Sequence, residues 1–348
     1  MKVLVTGATG FTGGRLSEML AERGDTVVAL AREGSRTAHL EAISAEIVTV
    51  DVRSKDDVRR AMRGCEAVYH IAALYRSAKH PDSVFHDVNV RGTEHVLRAA
   101  RELGVGRVVH CSTVGVHGKV KALPVDENAP FAPGDIYQET KLQGELAAKR
   151  AMDEGQPVVI ARPAGIYGPG DLRFLKLFRT IHSGKFRMIG SGRVVYHYTY
   201  IDDLCRGFMA CAQHPSAARG GTYILCGQTY HPIHEVARIV SACVGTPVKS
   251  GRLPVWPIMI AATGCEAACK AFGIEPPLHR RRLDFFIKDR AFTGTKAKAE
   301  LGFEAEVPLE EGFRRTAAWY FREGHLSGQA PDSLLGEAGL SAPIGVGV

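Results

Sequence analysis

The chain has 348 residues, 45% of them apolar and 23% charged, with a formal net charge of +7. This composition excludes a disordered chain and suffices for one large α/β domain, or a large domain with a smaller partner. The cations are scattered and the densest run is only Arg280-Arg281-Arg282, so the positive balance reads as solvated surface and not as a nucleic-acid footprint.

In chain order, short apolar runs alternate with helical patterns from the first residues. KVLVTG predicts strand one, and RLSEMLAERG predicts a helix that Gly24 stops. TVVALAR, EIVTVDV, AVYHIAA, RVVHCSTVGV and PVVIARPAGI predict strands two to six. The stretches VRRAMRG, TEHVLRAARELG and YQETKLQGELAAKRAMDEG predict helices between them. Continuous apolar strands separated by helices mean a parallel sheet buried on both faces, and right-handed crossovers make it a doubly wound, Rossmann-type α/β fold. Residues 1–165 form the predicted dinucleotide-binding domain, with returns near 195–227 at YIDDL and TYILCG. The looser, Pro- and aromatic-rich stretch 166–324 forms the predicted substrate-binding part, in which LEEGFRRTAAWYFREG is the last clear helix. The Gly- and Ala-rich stretch 325–348 is expected to be poorly ordered.

The opening strand runs straight into TGATGFTGG, which spaces Gly7, Gly10 and Gly13 as GxxGxxG between a strand and a helix. One glycine makes the turn, one lets the backbone approach a pyrophosphate, and one lets the helix pack on the strand, while free N–H groups at the helix start face the phosphates. Thr9, Phe11 and Thr12 complete this loop. At the end of strand two, NAD users place an acid for the ribose hydroxyls; here Ala31 is followed by Arg32, which suits a 2′-phosphate and predicts NADP, with NAD as the alternative. Asp51 and Val52, after strand three, are placed to meet the adenine. Ala72 and Ala73, after strand four, and Pro163, ending strand six, complete the cofactor side.

Tyr137 and Lys141 are four residues apart at a helix start and so share a face. A phenol is a poor acid or base at neutral pH, and a neighbouring ammonium brings it into working range. The same spacing recurs at Tyr75 and Lys79. Position separates the two: Tyr137 lies 24 residues after Thr113, whose hydroxyl at the end of strand five can hold the substrate oxygen beside the phenol, whereas Tyr75 belongs to a loop forming a wall of the site.

These pieces together resemble the extended short-chain dehydrogenase/reductase family, in its NAD-dependent epimerase/dehydratase branch. The resemblance is carried by TGATGFTGG at 6–14, DV at 51–52, HIAA at 70–73, NVRGT at 89–93, STVGVHG at 112–118, YQETK at 137–141, RPAGIYGPGD at 162–171 and YIDDL at 200–204. It implies Thr113, Tyr137 and Lys141 as the catalytic triad, with Tyr137 and Lys141 also touching the cofactor. It further implies Asn89 as a structural or cofactor-side residue, and a homodimer through helices near 94–103 and 138–152. His117 stands where the family usually has tyrosine.

Three departures narrow the reaction. Val114 and Gly115 occupy the positions of the Asp-Glu pair that sugar-nucleotide 4,6-dehydratases need to remove water. Gly165 and Tyr196 replace the asparagine and arginine with which sugar-nucleotide epimerases hold a diphosphate; Arg193 or Arg280–Arg282 could substitute. RPAGIYGPGD and the tyrosines near 196–200 look more like 3β-hydroxysteroid dehydrogenases and dihydroflavonol reductases. The expected activity is therefore interconversion of a secondary alcohol and a ketone on a hydrophobic small molecule, with Tyr75, Tyr167, Phe174, Phe178, Met188 and Tyr196 as candidate pocket residues. A nucleotide-sugar 4-epimerase with tightly bound NAD is the alternative.

Eight cysteines stand singly and none forms a C-x-x-C pair, which argues against a metal site or disulfide framework and for a reducing cytoplasm. The opening residues lack the apolar core and cleavage site of a signal peptide. LPVWPIMIAATGCEAACKAFG, followed by HRRRL, predicts a buried helix of the substrate part; an interfacial membrane helix, giving weak peripheral association, is the competing reading.

Overall fold

The computed structural model describes residues 1–75, 80–120, 122–271 and 280–335. Lys79 and residues 336–348, which figure in the expectations above, lie outside the described residues. The strands are β1 Lys2–Thr6, β2 Thr26–Ala31, β3 Glu46–Thr49, β4 Ala67–His70, β5 Arg107–Cys111, β6 Val158–Pro163, β7 Gly165–Tyr167, β8 Met188–Ile189, β9 Val195–Tyr200, β10 Gly221–Leu225, β11 Tyr230–Pro232 and β12 Arg252–Leu253. The helices of the first half are α1 Phe11–Glu22, α2 Ala38–Ala42, α3 Lys55–Ala61, α4 Asp82–His86, α5 Gly92–Glu102, α6 Ile136–Asp153 and α7 Leu175–His182. Those of the second half are α8 Ile201–Gln213, α9 Ile233–Val244, α10 Val255–Ala271, α11 Arg280–Ile287, α12 Thr295–Leu301, α13 Leu309–Arg322 and α14 Asp332–Leu335.

Seven strands form one parallel sheet in the order β10-β6-β5-β4-β1-β2-β3. Its strands read as continuous apolar runs because both faces are covered. Along β1, Val3 and Val5 enter one core while Leu4 enters the other, and Val109 and Val108 of β5 divide the same way. Each such side chain, fully buried, contributes about 1.5–3 kcal/mol. From β1 the chain builds outward through β2 and β3, then returns to place β4 on the opposite side of β1. The crevice of this sheet therefore opens between the ends of β1 and β4.

The expected sixth strand is not one strand. The run from Val158 to Tyr167 breaks at Ala164, with β6 in the large sheet and β7 in a second, three-stranded sheet of order β11-β9-β7. At YIDDL, β9 of the small sheet ends at Tyr200, and Ile201 onward forms α8, which packs against β5 and β6 of the large sheet. TYILCG does return, as edge strand β10. The expected fifth strand stops at Cys111 and tightens into a 3₁₀ turn over Val114–His117. From His325, where composition predicts poor order, the chain continues in turns to α14, with Leu326 and Leu334 buried.

Candidate active site

A cleft of about 780 Å³ runs along the crevice and gathers residues from both sheets. Gly7, Thr9, Gly10, Phe11, Thr12 and Gly13 line one end, with Arg32, Asp51 and Val52 beside them. Ala72, Ala73 and Pro163 follow, and Thr113, Tyr137 and Lys141 lie further along, walled by Tyr75 and Tyr196.

The glycine loop is close-packed. A Cβ on Gly13 would sit 2.2 Å from the Gly7 carbonyl oxygen, and one on Gly7, at φ +73°, would sit 2.8 Å from the Ala72 nitrogen. At Gly10 the nearest atom would be 3.4 Å away, which leaves open the surface at the start of α1. An open backbone surface at a helix N-terminus fits a dinucleotide pyrophosphate.

Behind the loop, a chain of hydrogen bonds ties three elements together. The Ala72 amide donates to Thr6 Oγ1 (3.0 Å), which also bonds His70 Nδ1 (2.8 Å). His70 Nε2 then meets Thr93 Oγ1 (3.0 Å), whose hydroxyl donates to the Asn89 carbonyl (2.8 Å). Because the Thr93 hydroxyl is given to the Asn89 carbonyl, His70 Nε2 donates to Thr93; burial, with Lys141 adding to it, pushes the His70 pKa down to about 3 and keeps the ring neutral. Asn89 is buried within a π-type turn, Asp87–Arg91. Its side chain accepts from the Leu74 amide (2.7 Å) and donates to Thr140 Oγ1 (3.0 Å), which fixes the residue just before Lys141.

Lys141 is buried, and Nζ donates to the Cys111 carbonyl at 2.5 Å. Burial pushes this ammonium below the usual lysine range, while Cys111 and Glu145 oppose the shift. Helix α6 is anchored by its N-cap Asp135, which accepts from the Gln138 amide (2.9 Å), and this sets Tyr137 on the first turn. The Tyr137 ring meets Tyr75 edge-on, with centroids 4.9 Å apart. Thr113 Oγ1 accepts from the Gly115 amide (3.0 Å).

A buried ion pair holds the ends of β5, β6 and α6 in register. Arg162 and Glu145 are both fully buried and pair through two contacts, Nη2–Oε1 (2.5 Å) and Nε–Oε2 (3.1 Å). Ser112, next to Thr113, donates to Glu145 Oε2 (2.6 Å). Arg162 also donates to His117 Nε2 (3.0 Å), and His117 Nδ1 meets the Pro130 carbonyl (3.1 Å). His117 thus serves as a neutral acceptor for a buried guanidinium, and burial and Arg162 lower its pKa.

Several expected pocket residues are elsewhere. Tyr167, Met188 and Phe178 are buried and Phe174 packs against the same core, in an aromatic cluster with Tyr198, Tyr200 and Phe313. None of the four lines the cleft: Tyr167, Phe174 and Phe178 pack against Phe313 of α13, and Met188, on β8, joins the same core. Conversely, sequence reasoning missed Arg53, Arg173, His197 and Arg290 on the cleft wall. Arg53 pairs with Asp51 (Nη2–Oδ2 2.8 Å), and this bond holds the Asp51 carboxyl below its usual range, with Arg32 assisting. Arg173 pairs with Asp171 (2.6 Å) and stacks over both the Phe11 and Tyr75 rings. The i to i+2 spacings of Asp51 with Arg53 and of Asp171 with Arg173 were available signals; Arg290 had none.

A parallel doubly wound sheet, a glycine-lined crevice at its switch point and a Tyr–Lys pair on the adjoining helix define a nicotinamide-dependent oxidoreductase of the Rossmann type. The chain belongs to the NAD-dependent epimerase/dehydratase family, whose model matches residues 3–227. It is 30% identical to the 4-hydroxy-2-methyl-3-oxo-4-farnesyl-3,4-dihydroquinoline-1-oxide ketoreductase of Stigmatella aurantiaca, over 90% of this chain and 94% of that one. It is 31% identical to 3beta-hydroxysteroid-dehydrogenase/decarboxylase isoform 1 of Arabidopsis thaliana, over 90% of this chain and 78% of that one. The crystal structure of gox2253 superposes with a TM-score of 0.79 at 27% identity, over 94% and 99% of the two chains.

Proposed function

We propose that the protein interconverts a secondary alcohol and a ketone on a hydrophobic small molecule, as its ketoreductase and hydroxysteroid dehydrogenase relatives do. The observation that carries this is the wall of the cleft beyond Tyr137. There Ile166, Tyr196 and Phe292 stand beside Gly165, a surface suited to an apolar ring or chain, on which Arg290 is the single guanidinium without a carboxylate partner among the described residues. When bound, the nicotinamide supplies or accepts the hydride. Thr113 holds the reacting oxygen, Tyr137 passes its proton, and the Lys141 ammonium favours the phenolate. The test is absorbance at the reduced nicotinamide band with sterols, flavonoid-type ketones and UDP-sugars. Turnover with the apolar ketones is expected; tightly retained NAD with activity only on UDP-sugars would replace this reading by an epimerase.

Among the described residues Arg32 has no carboxylate partner, since Asp51 is taken by Arg53, and we read it as the ligand for a 2′-phosphate and hence NADP as the preferred cofactor. A kcat/KM favouring NAD would reject this.

We also read α10 as a peripheral contact with anionic lipid. No described helix is long and apolar enough to cross a membrane. Against the expectation of a buried helix, Trp256 and Ile260, one helical turn apart on α10, are 68% and 64% exposed, and Leu253, at the end of β12, is 44% exposed. The pairing of β8 with β12 joins stretches 183–195 and 245–265, which carry Lys185, Arg187, Arg193, Lys249 and Arg252 and no acid. Trp319 is buried, so a blue shift of Trp256 emission on phosphatidylglycerol vesicles, absent on phosphatidylcholine alone, is the expected signal. A homodimer through α5 and α6 follows from the family resemblance, and light scattering reads it directly. A reducing, cytoplasmic setting fits eight cysteines that are all free.

A further inference from the structure

Two guanidinium groups on the cleft wall lack a carboxylate partner among the described residues. Arg32 stands on the side of β2, and Arg290 stands across the cleft beside β9. The placement of Arg290 is tightly determined. Its amide donates to the Val195 carbonyl (2.8 Å), and its carbonyl accepts from the His197 amide (2.9 Å). The residues on either side are held as well: Asp289 Oδ1 accepts from the Val195 amide (2.9 Å), and the Ala291 carbonyl accepts from the Val125 amide (3.1 Å). The carboxylate nearest in sequence is therefore committed to backbone.

The Arg290 guanidinium lies over the Tyr196 ring, 5.3 Å from its centre, and its Nε is buried with no hydrogen-bond partner. A buried donor left unmade is costly, and a planar guanidinium is matched by the two oxygens of a carboxylate. The neighbouring polar groups leave this task to Arg290. Arg173 is engaged by Asp171 and by the Ile166 carbonyl, and the His197 nitrogens face the carbonyls of Phe292 and Gly227.

We propose that Arg290 is an anion subsite for the substrate, binding a carboxylate carried by the apolar alcohol or ketone. The substrate class is then an oxo acid or hydroxy acid with a hydrophobic body. A sugar-nucleotide diphosphate fits less well, because its two charges would meet one unpaired guanidinium bordered by Tyr196 and Phe292. This inference rests on the reductase reading above and refines its substrate.

The test follows oxidation of 3-hydroxydecanoate and of its methyl ester by the wild type, Arg290→Gln and Arg290→Lys, with NADP. The wild type is expected to prefer the acid. Arg290→Gln is expected to raise KM for the acid about 10- to 100-fold with kcat within about twofold, to leave the ester unchanged, and to be partly rescued by Arg290→Lys. The inference is overturned if the wild type treats acid and ester alike, if the glutamine variant loses kcat equally on both, or if both are refused while neutral ketones turn over. Competitive inhibition by UDP-glucose that disappears in Arg290→Gln would also overturn it, by making the site a diphosphate clamp. Failure of every alcohol and ketone would instead sink the underlying reductase reading. The wild-type comparison of acid and ester needs no variant to fold.

Discussion

Glu145→Gln keeps the shape of a fully buried side chain and removes its charge. The Arg162 guanidinium then stays buried beside a neutral amide, whose one carbonyl oxygen replaces two charged acceptors, with His117 Nε2 and the Glu127 carbonyl as its other partners. Stripping one partner from a buried ion pair costs about 3–5 kcal/mol, because the surviving charge is neither solvated nor compensated. In a chain of this size each kcal/mol lowers the melting temperature by about 2–4 °C, so scanning calorimetry should show a fall of about 6–20 °C. Ser112 also loses its carboxylate acceptor one residue before Thr113, so activity should fall at temperatures where the variant is still folded. The companion variant Glu145→Leu/Arg162→Met removes both charges and should recover most of the lost stability. A single variant that melts within about 2 °C of wild type, or a double variant no better than the single, would refute the view that compensation of a buried charge holds these elements together.

Other expectations follow from the cleft. Tyr137→Phe should lower kcat by about 10²- to 10⁴-fold while the dissociation constant of the reduced cofactor, read by its fluorescence, stays put. Arg32→Ala should shrink the ratio of kcat/KM for NADP over NAD by about 10- to 100-fold, measured by paired initial rates. Gly13→Ala forces a Cβ against the Gly7 carbonyl and should cost about 1–3 kcal/mol in urea unfolding together with most cofactor affinity in titration. His70 has a folded pKa of about 3 against an ordinary value of 6.5, so between these values the unfolded chain binds the proton that the folded chain refuses. Its contribution is present above pH 6.5 and is lost as pH falls toward 3, about 2 kcal/mol at pH 5. Buried His110 acts in the same direction. Urea unfolding at pH 7.5 and pH 5 should show this loss, and His70→Gln should flatten it.

The features that were legible in the sequence are those with a local cause. Gly7 and Gly13 are spaced by the contacts their backbones make, and Tyr137 with Lys141 by one helical turn. The strands of the large sheet were legible because two covered faces require unbroken apolar runs. The division at Ala164 was not, since an apolar run has the same pattern whichever sheet it joins. Tyr167, Phe174 and Met188 failed as pocket residues because an aromatic or thioether side chain suits a core as well as a pocket, and only the directions of β7, β8 and the start of α7 decide. Arg290 was invisible because its meaning lies in residues 195–197, far away along the chain.

The break at Ala164 bears on how such a protein can be altered. Pro163 and Gly165 line the same cleft from two different sheets, one residue apart on either side of the break. The chain then crosses back for β10 and out again for β11. The part that meets the substrate is therefore not a cassette with one seam. A hybrid made by joining two relatives at a single junction near residue 164 would inherit mismatched strands on both sides of every later crossing. New substrates are more readily reached by exchanging side chains on a fixed frame, such as those at 75, 196 and 290, than by shuffling segments.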